Sequence, residues 1–130
     1  MNAVSTRIPA HLGWSVEDSS QLYQVDAWGG GYFGVNAAGH VVVRPDQQAG
    51  REIDLLDVVE GLKARDFTAP VVIRFSDIIA HRLRSLHDAF AAAIAENDYQ
   101  NRYAAVFPIK VNQQRLVVEE VYRSGKPFGF

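Results

Sequence analysis

The chain has 130 residues, with 13 Lys+Arg against 15 Asp+Glu, a formal net charge of −2 and 48% hydrophobic residues. That is the composition of one ordinary soluble domain or of a piece of a larger one, and with no basic excess it points away from nucleic acid and other polyanions. No apolar stretch approaches the ~20 residues that span a bilayer, Arg7 precedes no apolar run of the secretory kind, and the lack of Cys removes disulfides, thiol catalysis and thiolate metal sites; the expectation is a cytoplasmic protein without a membrane partner.

Residues 1–20 mix Pro9, Gly13, Ser15, Ser19 and Ser20 without a clear period and read as a flexible lead-in. Residues 21–50 read as a β-hairpin segment of a small β-domain. Tyr23–Trp28 alternates bulky and polar side chains, as a strand does. Gly29-Gly30-Gly31 breaks it, and two further β-like runs follow, Tyr32–Asn36 and His40–Arg44. Ala37-Ala38-Gly39 between them reads as a turn whose glycine suits positive φ.

From residue 51 the period changes. Asp54 is placed to cap a helix whose core face is Leu55, Val58, Val59 and Leu62. Pro70–Phe75 is a short apolar run of the buried-strand kind. Ser76 is placed to cap a long helix, with Ile79, Leu83, Leu86, Phe90 and Ile94 on one stripe. If it reaches Glu96, it is about 30 Å long at ~1.5 Å per residue. Tyr103–Val111 is a second buried run. Asn112 then opens a helix with Val117, Val118, Val121 and Tyr122 as its core face, ending at a C′ glycine, Gly125. Phe128-Gly129-Phe130 looks like the start of a third strand.

Strand, helix, strand, helix and the start of a strand imply an α/β arrangement of parallel strands with right-handed crossovers. A full (β/α)8 barrel takes roughly 250 residues. The chain therefore reads as either a small α+β protein or the opening of a longer barrel.

Most candidate sites have ordinary readings. Gly29, Gly31 and Gly34 satisfy G-x-G-x-x-G, but aromatic and β-branched residues follow where a phosphate-binding helix should begin, so the segment reads as a β-turn. His11, His40, His81 and His87 lack metal-ligand spacing, and Asp77 with His81 reads as a solvated i,i+4 pair. Lys110 stands out. Strand alternation puts it with Val106 and Pro108, opposite Phe107, Ile109 and Val111, near the C-terminal end of its strand. Barrel enzymes place their chemistry at that end. Burial there would depress the ammonium pKa and expose a nucleophilic amine. The other reading is a lysine that guards a sheet edge with its head in water. Spacing leaves both open.

Val106-Phe107-Pro108-Ile109-Lys110-Val111-Asn112-Gln113-Gln114-Arg115 closely resembles the biosynthetic arginine decarboxylases of bacteria and plants. Gly31–Pro45 and Pro70–Ile78 are two further matches in the same order and spacing, so the resemblance runs from about Trp14 to Phe130. It implies a pyridoxal 5'-phosphate enzyme on an alanine-racemase-like (β/α)8 barrel, of which residues 51–130 would be the N-terminal part, preceded by the β-domain segment. It also implies that Lys110 is both catalytic and cofactor-binding, holding pyridoxal phosphate as an internal aldimine. The implied reaction converts L-arginine to agmatine and carbon dioxide, the entry to putrescine and spermidine. Magnesium and a homo-oligomeric state are implied by the family alone. A decarboxylase or racemase of the same fold acting on another amino acid, and a non-catalytic decarboxylase-like interaction chain, are the alternatives. The family's chains are several hundred residues longer, so the 130 residues by themselves are expected to be inactive.

Overall fold

In the computed structural model, which describes residues 13–129, Ser15 and Asp18 cap each other. The Asp18 N–H donates to Ser15 Oγ at 3.1 Å and the Ser15 N–H donates to Asp18 Oδ2 at 2.7 Å. This capping box starts helix α1, Val16–Leu22. Part of the expected lead-in is thus helical; its first twelve residues lie outside the described range. A left-handed Gln24 (φ 51°) separates α1 from α2, Val25–Gly29.

Tyr23–Trp28 is therefore not the expected strand. Six residues are too few to tell period 2 from period 3.6, and the i,i+4 pair Val25 and Gly29 forms the buried face of a helical turn. Trp28 leans on Phe33, with ring centroids 5.2 Å apart.

The hairpin forms as read. Strand β1, Phe33–Val35, pairs antiparallel with β2, Val41–Val43, in the register Phe33 to Val43, Gly34 to Val42 and Val35 to Val41. Gly39 in the connecting turn has φ +83°, which L side chains rarely adopt. Strand β3, Ile53–Asp54, adds to the other edge of β2. Successive strand side chains point to opposite faces, yet Val42 and Val43 are 1% and 0% exposed, so the sheet is covered on both sides. Helix α2 packs along β1, and helix α3, Leu55–Lys63, packs along β2 and β3.

The chain divides into two compact units. The first comprises residues up to Arg44 and Glu52–Phe67, and the second comprises Pro45–Arg51 and everything from Thr68 on. In the second, α4 (Ser76–Glu96) and α5 (Arg115–Gly125) pack through Leu83, Val117 and Val121, with Ile79 and Phe107 against them. Helix α4 has the expected length. Its cap is Phe75, one residue early and without a side-chain hydrogen bond, and Leu86 and Phe90 on its expected core stripe stay 42% and 44% exposed.

The later elements differ from their sequence readings. Residues 71–75 and 103–108 lie outside any helix or strand, and the one sheet among the described residues is the small antiparallel one. An apolar run becomes a strand only when neighbours pair its N–H and C=O groups, and the described residues supply none. Gly125 closes α5 at a right-handed φ of −88°; the chain runs on into a 3-10 turn, Lys126–Phe128, which Gly129 ends at φ +80°. That turn occupies the start of the expected third strand, and Phe130 lies outside the described residues. Among the described residues the architecture is mixed helix and a small antiparallel sheet.

Candidate functional site

Lys110 sits in a 3-10 turn, Ile109–Val111, rather than near the end of a strand. The Val111 N–H donates to the Pro108 carbonyl at 2.9 Å and closes the turn. Asn112 follows, and its Oδ1 accepts the Gln114 N–H at 3.1 Å. Asn112 thus braces the approach to α5, three residues ahead of the helix, instead of capping it; Gln114 holds the cap position. Side-chain alternation survives over three residues: Ala105 is 8% exposed, Val106 85%, and Phe107 meets the helical core. The turn then cancels it, leaving Ile109 and Val111 at 52% and 76%.

Lys110 is exposed, so the expected burial of its ammonium is not supplied by the described residues. Its surroundings still set it apart from the other two lysines. Lys63 is exposed and pairs with Glu60 at 2.8 Å. Lys126 is exposed and lies 5.8 Å from the ring centre of Tyr122. Lys110 has no hydrogen bond, ion pair or ring contact among the described residues, which leaves its Nζ accessible to a reacting carbonyl. An apolar groove of about 470 Å³ runs between the 105–109 segment and α5, lined by Ala105, Phe107, Ile109, Val118, Val121 and Tyr122 among others.

A polar constellation that sequence reasoning missed lies in the first unit. Asp54 Oδ2 is 2.8 Å from His40 Nδ1 and 3.0 Å from the Asn36 amide nitrogen, while Oδ1 accepts the Leu56 N–H at 2.8 Å. An ionised carboxylate only accepts, so His40 carries its proton on Nδ1. Asn36 Oδ1 accepts the N–H groups of Ala38 and His40 at 3.0 and 2.9 Å. The His40 hydrogen bond holds the Asp54 carboxyl below the usual carboxylate range; partial desolvation opposes this, and Leu56 N–H and Asn36 reinforce it. The sequence revealed Asp54 only as a cap. The signal for more was the hairpin register, which brings the Asn36/His40 turn to the end of the sheet where Asp54 is the last residue of β3. Arg44 and Glu52 form a second bridge in this unit, at 2.7 Å.

The glycine-rich segment ends α2 and leads into β1, so no helix N-terminus follows it. Among the described residues no group of three or more His, Asp or Glu side chains is arranged to hold a metal ion, and no helix is long and apolar enough to cross a membrane. The structure does not gather the expected site residue with other polar groups: Lys110 stands alone on its turn.

No family model matches the chain. Curated relatives do. Biosynthetic arginine decarboxylase 2 of Synechocystis sp. is 50% identical over 116 residues, covering 89% of this chain and 18% of the relative. The biosynthetic arginine decarboxylase of Synechococcus sp. is also 50% identical, over 117 residues, and that of Prochlorococcus marinus is 49% identical over 123 residues, or 95% of this chain. The chain spans only 18–19% of the length of these three relatives. Over about nine-tenths of its residues, this chain is homologous to a stretch of the biosynthetic arginine decarboxylases.

Proposed function

We propose that this chain is the segment of an arginine decarboxylase that carries the cofactor lysine, and that Lys110 is that lysine. The observation that carries the proposal is the coincidence of the arginine decarboxylase match with a lysine whose amine is exposed and unengaged, beside two lysines that are engaged. The proposed reaction turns L-arginine into agmatine and carbon dioxide.

Pyridoxal phosphate, when bound, would supply the electron sink for the charge left as carbon dioxide departs. The residues present fit it at one point, the covalent anchor. Lys110 would hold the cofactor aldehyde through Nζ, which must first lose its proton to become a nucleophile. The Pro108–Val111 turn and the Asn112–Gln114 hydrogen bond fix where that amine emerges. In this reading residues 70–75 and 103–108 become the first parallel strands of an alanine-racemase-like (β/α)8 barrel, with α4 and α5 as crossovers. Their apolar content and their lack of any strand partner among the described residues support it. Magnesium, a homo-oligomeric state and a cytoplasmic role in polyamine synthesis belong to the same proposal through the resemblance.

Borohydride reduction of the complete enzyme in the presence of pyridoxal phosphate tests the assignment. The cofactor should be fixed on the peptide that contains Lys110. Lys110→Ala should lose cofactor absorbance and nearly all turnover. Lys110→Arg should fail almost as badly, because a guanidinium stays protonated. Label on Lys63 or Lys126 would refute the assignment.

A further inference from the structure

The C-terminal end of α4 carries a feature that the decarboxylase reading does not use. Phe90 on α4 and Tyr103, just past the helix, stack face to face, with ring centroids 4.0 Å apart and planes 3° apart. Beside them lies a pocket of about 400 Å³ lined by Phe90, Ile94, Asn97, Tyr99, Arg102 and Tyr103, with Ala93 between. That volume lies within the roughly 300–1,000 Å³ of small-molecule sites. Tyr99 is held at its rim by a 3.0 Å hydrogen bond from its N–H to the Ile94 carbonyl, yet its side chain is 58% exposed. Three aromatic rings at one small pocket offer stacking surface to a flat ring.

Charge decides which flat ring. Arg102 is the sole charged residue lining the pocket, and no carboxylate faces it. Among the described residues its guanidinium has no hydrogen-bond or ion-pair partner; only its backbone N–H is engaged, by the Asn101 side chain. A free guanidinium is a fork of donors matched to phosphate or carboxylate oxygens. A cationic ring would be repelled, and a neutral one would leave the fork unused.

We propose that this pocket binds a small planar aromatic anion, its ring stacked on the Phe90/Tyr99/Tyr103 cluster and its anionic group on Arg102. A phosphate monoester on a nucleobase carrier and an aromatic carboxylate share this chemistry.

Calorimetric titration of the full chain with AMP and with benzoate tests the proposal, with adenosine as ring without charge and inorganic phosphate as charge without ring. At least one of the two anions should saturate, about tenfold or more tighter than adenosine and inorganic phosphate. AMP alone would identify a phosphate ligand, benzoate alone a carboxylate, and either supports the site. Arg102→Gln should raise the Kd of the bound anion about tenfold and leave adenosine unchanged. Tyr99→Leu should weaken the ring-bearing ligands and leave inorganic phosphate unchanged. Both side chains are exposed, so both variants should keep the wild-type circular dichroism spectrum. Saturation by neither anion, or saturation indifferent to both substitutions, would overturn the proposal.

Discussion

At the scale of single residues, Asp54 does the most. One carboxylate accepts from His40, Asn36 and the Leu56 N–H. Because its folded pKa lies below the ordinary value, the stability it contributes is fully present above the normal carboxylate range. It is lost as pH falls through the depressed folded value. Asp54→Asn should therefore lower the melting temperature at neutral pH, and the gap from wild type should close on acidification below about pH 4. Parallel melts across pH check this, and a gap that stays constant in acid would remove the carboxylate's role. Lys110 shows the opposite case. The motif around it is what singles it out in the sequence. Its environment was not legible there, because burial belongs to whatever covers a residue and not to the residue.

Among the elements, the α4–α5 contact holds the second unit. Leu83 is its most enclosed α4 residue, at 9% exposure, against Val117 and Val121. Leu83→Ala should cost about 2–3 kcal/mol, at the low end for buried leucine because so small a cluster can partly collapse. Chemical denaturation measures it directly. Val106→Ala, at 85% exposure, should stay within about 0.5 kcal/mol in the same assay. The sequence announced α3 and α4 well, because nine and 21 residues give the helical period room to repeat. It misread α2, where a five-residue helix mimics strand alternation. The hairpin was legible from its glycine turn. The runs at 70–75 and 103–108 were legible as apolar, but a parallel strand exists only beside another, and no local pattern supplies the neighbour.

For the molecule as a whole, apolar side chains on the surface of the second unit dominate its behaviour. Val72, Val106, Val111 and Leu116 are 76–85% exposed. Such a surface binds hydrophobic dyes and promotes association. The 130-residue chain should enhance anilinonaphthalene sulfonate fluorescence while retaining helical circular dichroism. It should release no carbon dioxide from arginine when pyridoxal phosphate is added, since it offers an anchoring amine but no enclosed pocket around it. Radiometric detection of carbon dioxide above a Lys110→Ala control would contradict that.

The Asn36–His40–Asp54 cluster also has a kinetic signature. The amides of Ala38 and His40 end on one side chain, the amide of Leu56 on another, and the two side chains are bonded to each other. None of these three protons belongs to the interior of a helix or to a ladder, so each would exchange with deuterium quickly if its own turn opened alone. Tied through Asp54, they become one opening unit that spans 18 residues of sequence. Their protection factors should agree with one another, and Asp54→Ala should release all three together.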